Sequence, residues 1–356
     1  MSDRHMAESG STKGGLGVWL VAGIVACLIL GLGVVVVGWR MSQGSSTDGA
    51  AANSVGFGSD ASAEGAYTFE RLPHPARTLV RDKNGAVLAV FTDGARTVRL
   101  TGPSRRFAEP EFTKATVTTD AWVRLAPRAW HEGAQKEAWF PAWLRDARRD
   151  ASPDVLAVAM DYLTDAPDKV DKKGVRFAGD ADFGPESERD RDGRAENSDF
   201  NDYLGVRWSF PDAGDVDAKP DRYGFVDCSG YLRLVYGYRM GYPMRKENTP
   251  GVGLPRRAFA MSKFGPGVEV IPNRDRPARD YDVLQPGDFV FFDLDAADGS
   301  QIDHSGIFVG VDNRGHYRFV SSRTKANGPT MGDAGYAAIL DGGGHFSVTF
   351  RNARRL

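Results

Sequence analysis

The sequence predicts an α+β protein in which a helix packs on an antiparallel sheet in the C-terminal half, with a small β-rich region ahead of it and one transmembrane helix at the start. Three observations predict this. Leu16 to Trp39 is an uncharged run, LGVWLVAGIVACLILGLGVVVVGW, about 36 Å long as a helix and able to cross a bilayer core of about 30 Å. The runs TLVRD and AVLAVF flank Asn84-Gly85, a strong hairpin signal. After Cys228 the apolar and aromatic residues of YLRLVYGYRMGY recur at three- and four-residue intervals, and the short runs FVFFD, IFVGV and HYRFVSS follow, separated by turns.

The elements follow in chain order. Residues 1–15 read as a cytoplasmic tail and 16–39 as an uncleaved membrane anchor, with Trp19 and Trp39 near its ends as interfacial residues and Arg40 closing it. Its apolar run is longer than that of a cleavable signal peptide, and no small-x-small site follows. Cys27 lies in mid-span as a packing residue. Residues 40–66, rich in Gly, Ser and Ala, read as a flexible linker. The large C-terminal part is therefore expected outside the cell, on a single-pass protein in the cell membrane.

Residues 67–150 read as a small β-rich domain, a wall-binding module or a spacer, closed by a helix near 136–148 with Trp139, Trp143 and Leu144 on one face. His74 and His131 are isolated in it and read as surface or turn residues. Residues 151–356 form the second domain, in which 161–202 carry a mixed acidic run, DADFGPESERDRDGRAENSDFND, that includes Asp190, Asp192 and Glu196. That run lacks the spacing and central glycine of an EF-hand and reads as a solvated insertion.

Composition narrows the function. The chain has 356 residues, with 45 basic and 47 acidic side chains giving a net charge of −2, so no basic surplus points to nucleic acid. Its two cysteines, Cys27 and Cys228, exclude a disulfide framework and any multi-cysteine zinc or iron–sulfur site. No metal or cofactor is expected, and the oligomeric state is not fixed by the sequence.

Cys228 sits where its helix begins, and unpaired N–H groups there favour a thiolate and can hold a developing oxyanion. His304, at the start of a strand, is the base available to take the thiol proton and return it to a leaving amine. The motifs DCSG at a helix start, PGDFVFF, and DHSGIFVG, in this order, resemble the NlpC-type cell-wall peptidases, bacterial papain-like cysteine enzymes, over about residues 150–356. That resemblance implies a papain-like NlpC-type domain with Cys228 and His304 catalytic and peptidoglycan stem peptides as substrate. The bond cut would typically lie between D-glutamate and the diamino acid.

Strand geometry places the third residue. With Asn313-Arg314 as the hairpin tip, Asp312 faces Gly315, His316 faces Val311, Ser321 lies opposite Gly306 and Arg323 opposite His304. Ser321 and Arg323 then share the face of His304, and Ser321 becomes the orienting residue where the family has His, Asn or Gln. His316 points the other way; it and Asn327 are the reserves. Asp227 and Ser229 beside the nucleophile, Trp208 in GVRWSFP and Arg323 are the expected substrate-binding residues. The family's Tyr-x-Trp-Gly-Gly motif lacks its glycines at GVRWSFP, and GVRFAGDADFGP at 174–185 is a rival match. A short helix at PRRAFAMSKF is expected to border the cleft, with Arg256, Arg257 and Lys263 facing acidic substrate groups. The alternative is a catalytically weak or inactive papain-like domain serving as a cell-wall-binding or scaffold protein.

Overall fold

The structure is a computed structural model that describes residues 67–185, 198–295 and 299–356. The expected tail, membrane anchor and linker, and Asp190, Asp192 and Glu196, lie outside the described residues. Among those described, no helix is long and apolar enough to cross a membrane.

Strands β1 (Thr68–Leu72), β2 (Arg77–Arg81), β3 (Val87–Thr92), β4 (Thr97–Ala108) and β5 (Thr116–Leu125) form one antiparallel meander. Its β2–β3 turn is set by Asp82, whose Oδ1 accepts from the backbones of Asn84 and Ala86, while Gly85 supplies a φ of 84° that only glycine adopts cheaply. Helix α1 (Trp139–Arg149) covers the meander through buried Phe140 and Leu144; Trp139 and Trp143 pack beside them, and Phe91 lies 4.1 Å from Trp130 between ring centroids.

Next come α2 (Val155–Met160), the ribbon β6 (Lys169–Val170) and β7 (Arg176–Ala178), α3 (Phe200–Leu204), and the ribbon β8 (Trp208–Phe210) and β9 (Gly214–Val216). Helix α4 (Cys228–Leu232) continues as a wider π-type turn through Arg233–Arg239, with α5 (Ala258–Phe264) after it. Strands β10 (Val268–Ile271), β11 (Phe289–Phe292), β12 (His304–Val311), β13 (Tyr317–Arg323) and β14 (Gly328–Thr330), then α6 (His345–Thr349) and β15 (Phe350–Arg355), complete the fold. The six-stranded sheet has the order β10-β15-β11-β12-β13-β14, all antiparallel. Helix first and meander after is the predicted order; what sequence did not show is that the C-terminal strand β15 enters the sheet between β10 and β11.

The alternation of β12 divides its side chains. Ile307 and Val309 pack with Tyr231, Leu232 and Val235 of the α4 run, while Phe308 joins Phe292, Phe319, Phe346 and Phe350 on the other face. The two sheets are stitched together: Val117 bridges Asp312, and Arg355 Nη1 donates to Thr92 Oγ1 at 2.7 Å; Arg105 of β4 ties the meander to α2 through a bidentate pair with buried Asp154 at 2.7 and 2.6 Å.

Two expectations are corrected here. The hairpin tip is not a two-residue turn: Asp312 is opposite His316, Val311 pairs with Tyr317, and Gly315 (φ 85°) closes a three-residue loop. A bulge between Phe308 and Gly310 then restores the expected register, so Ile307 faces Val320 and Phe308 faces Phe319. The two irregularities cancel before the strand reaches His304. The end of the acidic insertion is also not solvated: Asp199 is buried, caps α3, and accepts from fully buried Arg233 at 2.8 and 3.1 Å.

Candidate functional site

Cys228 opens α4 because Asp227 caps it. The Asp227 backbone is extended, and its Oδ1 accepts from the Gly230 N–H at 2.6 Å. The same carboxylate is clamped by Arg256, whose Nη2 donates to Oδ2 at 2.5 Å and whose Nη1 donates to Ser229 Oγ at 2.8 Å. Asp227 and Ser229 are therefore buried parts of the helix start. Arg256 and Arg257 are buried as well, which corrects the expectation that they face acidic substrate; of the three basic residues in PRRAFAMSKF only Lys263 is exposed. Trp208, on β8, packs its ring edgewise against Phe200 and Tyr238 at 5.1 and 5.9 Å between centroids.

The Cys228 thiol lies 3.9 Å from the carbonyl oxygen of Asp303, the residue before His304, and close to the N–H and hydroxyl of Ser305, the residue after it. Asp303 is itself fixed, its carboxylate accepting from the backbones of Leu294 and Asp295. His304 Nε2 meets Ser321 Oγ at 3.1 Å, with Ser321 fully buried, so the register places the two together as the strand geometry implied. That bond engages Nε2 and not Nδ1. The ring is held between Phe292 and Phe346, each 5.8 Å away, Phe346 stacked on it at 28°.

Burial governs the electrostatics. It pushes the Cys228 thiol up to about 12, helped by the Asp227 charge, and this outweighs the pull of the helix terminus that the sequence suggested. It pushes His304 down to about 3, with the Arg323 and His345 charges acting in the same direction. The resting pair is a neutral thiol beside a neutral imidazole.

Arg323 shares this face but is held from behind, donating to the carbonyls of Tyr336 and Gly332 at 2.7 and 3.0 Å and lying over the Phe346 ring. The carboxylate it faces is Glu109, reaching over from the end of β4. Glu109 Oε2 accepts from Thr330 Oγ1 and from the Met331 N–H, both at 2.8 Å, and burial raises its pKa to about 7. Tyr336 and His345 stack at 4.1 Å beside the site. Sequence reasoning missed Glu109, Tyr336, His345 and Phe346. Only His345-Phe346 carried any signal, as a histidine and an aromatic after three glycines. Of the reserves, His316 pairs with Asp341 at 3.1 Å and Asn327 donates to Asp182 at 2.6 Å, so neither is joined to His304 by a hydrogen bond.

Glu109 gives a pH test. Its folded-state pKa of about 7 exceeds the unfolded value of about 4.3, so between these limits the folded chain holds a proton the unfolded chain has lost. Stability from this group thus falls as pH rises, by at most about 1.4 kcal/mol per unit. Glu109→Gln, neutral throughout, should gain on the wild type by about 3 kcal/mol between pH 5 and pH 8 in urea unfolding. A difference independent of pH would show that Glu109 ionises normally.

No protein-family model matches the chain, and no curated protein matches it. Among solved structures it is similar to a lipoprotein-like NLP/P60 family protein of Staphylococcus aureus at 16% identity, covering 63% of this chain and 54% of that one, with a TM-score of 0.26. It is similar also to NlpC1 of Trichomonas vaginalis at 13% identity (78% and 76% covered, TM-score 0.28) and to an NLPC/P60 family protein of Bacillus cereus at 14% identity (81% and 78% covered, TM-score 0.24). Each bears an NlpC or NLP/P60 name, but the overlap in shape is small, and the functional argument rests on the site.

Proposed function

We propose that the chain is a cysteine hydrolase of peptide bonds, with Cys228 as nucleophile, His304 as general base and acid, and Ser321 as the residue that orients the imidazole. The observation that carries this is the placement of the Cys228 sulfur against the backbone on both sides of His304 while Ser321 occupies the far ring nitrogen. As substrate docks, the thiol proton passes to Nδ1 and sulfur attacks the carbonyl carbon. The Cys228 N–H at the helix start donates to the oxyanion. Collapse of the tetrahedral species breaks the C–N bond, and His304 gives its proton to the departing amine. Water, deprotonated by His304, then releases the acyl group as a carboxylic acid and restores the thiol.

The resemblance of DCSG, PGDFVFF and DHSGIFVG makes peptidoglycan stem peptides the proposed substrate, cut between D-glutamate and the diamino acid. The apolar run 16–39 makes the proposed setting the outer face of the cell membrane. Digestion of peptidoglycan by the full chain in detergent, with fragments identified by mass spectrometry, tests activity and bond together; intact peptidoglycan would reject the reading.

A second reading, an inactive wall-binding or scaffold protein, is favoured by one observation: the thiol pushed up to about 12 beside an imidazole pushed down to about 3. Such a pair, if it never exchanges its proton, is an ordinary buried contact.

Ser321 has a bounded effect. A neutral hydrogen bond contributes about 0.5–1.5 kcal/mol, so Ser321→Ala should lower kcat/KM roughly tenfold and leave turnover measurable. Full activity in that variant would remove Ser321 from the proposed triad.

A further inference from the structure

A groove of about 680 Å³ is walled by α5 on one side and by Ser300–Ile302, the segment leading into Asp303 and His304, on the other. Ile302 is two residues from His304, so the groove ends within ~7 Å along the chain of the proposed base. Its charge is uneven. Lys263 on α5 is exposed, its ammonium 5.2 Å from the Phe264 ring centroid. Arg354 on β15 keeps a buried Nε with no hydrogen-bond partner, and its Nη atoms donate only to the carbonyls of Gly267 and Ser262, at 3.4 and 3.2 Å. Against these two cations stands Glu269, whose Oε1 already accepts from Asn352 Nδ2 and the Asn273 N–H. Phe264 and Ile302 add apolar surface suited to aliphatic stretches of a ligand.

We infer that this groove is a substrate subsite for a carboxylate-bearing stretch of peptide, with Lys263 and Arg354 as its recognition residues. The inference rests on the hydrolase reading for the identity of the ligand as substrate, and it adds what that reading lacks: a reason for choosing acidic peptides. Ile302, on the groove wall, is followed by Asp303, whose carbonyl receives the Cys228 thiol, and this adjacency joins the groove to the proposed nucleophile. A carboxylate on such donors makes charge-assisted hydrogen bonds, stronger than those of an amide in the same place.

The test uses the full chain carrying Cys228→Ala, so that binding is read without turnover, and two probes: a synthetic stem tetrapeptide with free carboxylates and its carboxamide counterpart. Calorimetry should show the acidic peptide binding about tenfold more tightly. Lys263→Gln, on an exposed side chain, should reduce that preference to threefold or less. Lys263→Glu should abolish it, and neither should change affinity for the carboxamide peptide. Equal binding of both probes, or a preference unmoved by both Lys263 variants, would overturn the inference. If the preference holds while the wild type cleaves neither peptide, the groove stands and the hydrolase reading falls.

Discussion

Cys228→Ala should release no stem-peptide fragments from peptidoglycan, with activity at least about a thousandfold below wild type, because no other residue of the proposed site forms the acyl intermediate of a covalent mechanism. Cys27 lies far along the chain in the apolar run, and Cys228 is the free cysteine of the described residues. The variant should fold, because the helix start is held by Asp227, Arg256 and Ser229 rather than by the sulfur. The readout is fragment mass spectrometry on wild type and variant together, with thermal unfolding as the control. Unchanged release would remove Cys228 from the chemistry.

The largest expected effect on stability lies behind the site. Arg233 is fully buried, pairs with Asp199 through Nε and Nη2, and donates through Nη1 to the carbonyls of Arg245 and Leu254 at 2.6 and 2.9 Å. Its guanidinium also lies 5.3 Å from the Phe200 and Phe210 ring centroids. Arg233→Leu would leave the Asp199 carboxylate its cap bonds and Arg256, 3.4 Å away, without the bidentate guanidinium, and would remove a donor from the Arg245 and Leu254 carbonyls. Breaking a buried pair from one side costs about 3–5 kcal/mol, enough to lower Tm by roughly 10 °C in a chain of this size. The damage should reach the nucleophile, since Ser198, next to Asp199, accepts the Asp227 N–H through its carbonyl at 2.9 Å. Denaturant unfolding measures it, and a loss below about 1 kcal/mol would mean that the network adapts.

The parts of this site that were legible in the sequence are those set by local periodicity. The helical spacing after Cys228, the strands around Gly306 and Val320, and the facing of Ser321 toward His304 all follow from repeats of 3.6 and 2 residues within short stretches. The Ser321 placement was reached through a wrong turn, since the three-residue loop at Asn313–Gly315 and the bulge at Phe308–Gly310 each shift the register by one and offset each other. What could not be read are pairings across distant segments. Glu109 meets Thr330 and Met331 through folding of the meander onto the sheet, and Asp199 meets Arg233 only once the insertion closes on α4. The acidic insertion reads as solvated for want of a visible partner, and Arg256 reads as a substrate contact because its partner in the fold, Asp227, lies 29 residues away.

The measurement closest to the central claim is the rate at which iodoacetamide modifies Cys228 at pH 7, followed by peptide mass spectrometry so that Cys27 is counted separately, in the wild type and in His304→Ala. A proton-exchanging pair predicts modification of the wild type at neutral pH and a slowing of at least about tenfold when the imidazole is removed, because the thiolate then loses the group that receives its proton. A slow rate that is the same in both proteins, rising with pH only as a thiol pushed up to about 12 ionises, would contradict the hydrolase account and leave the wall-binding scaffold in its place.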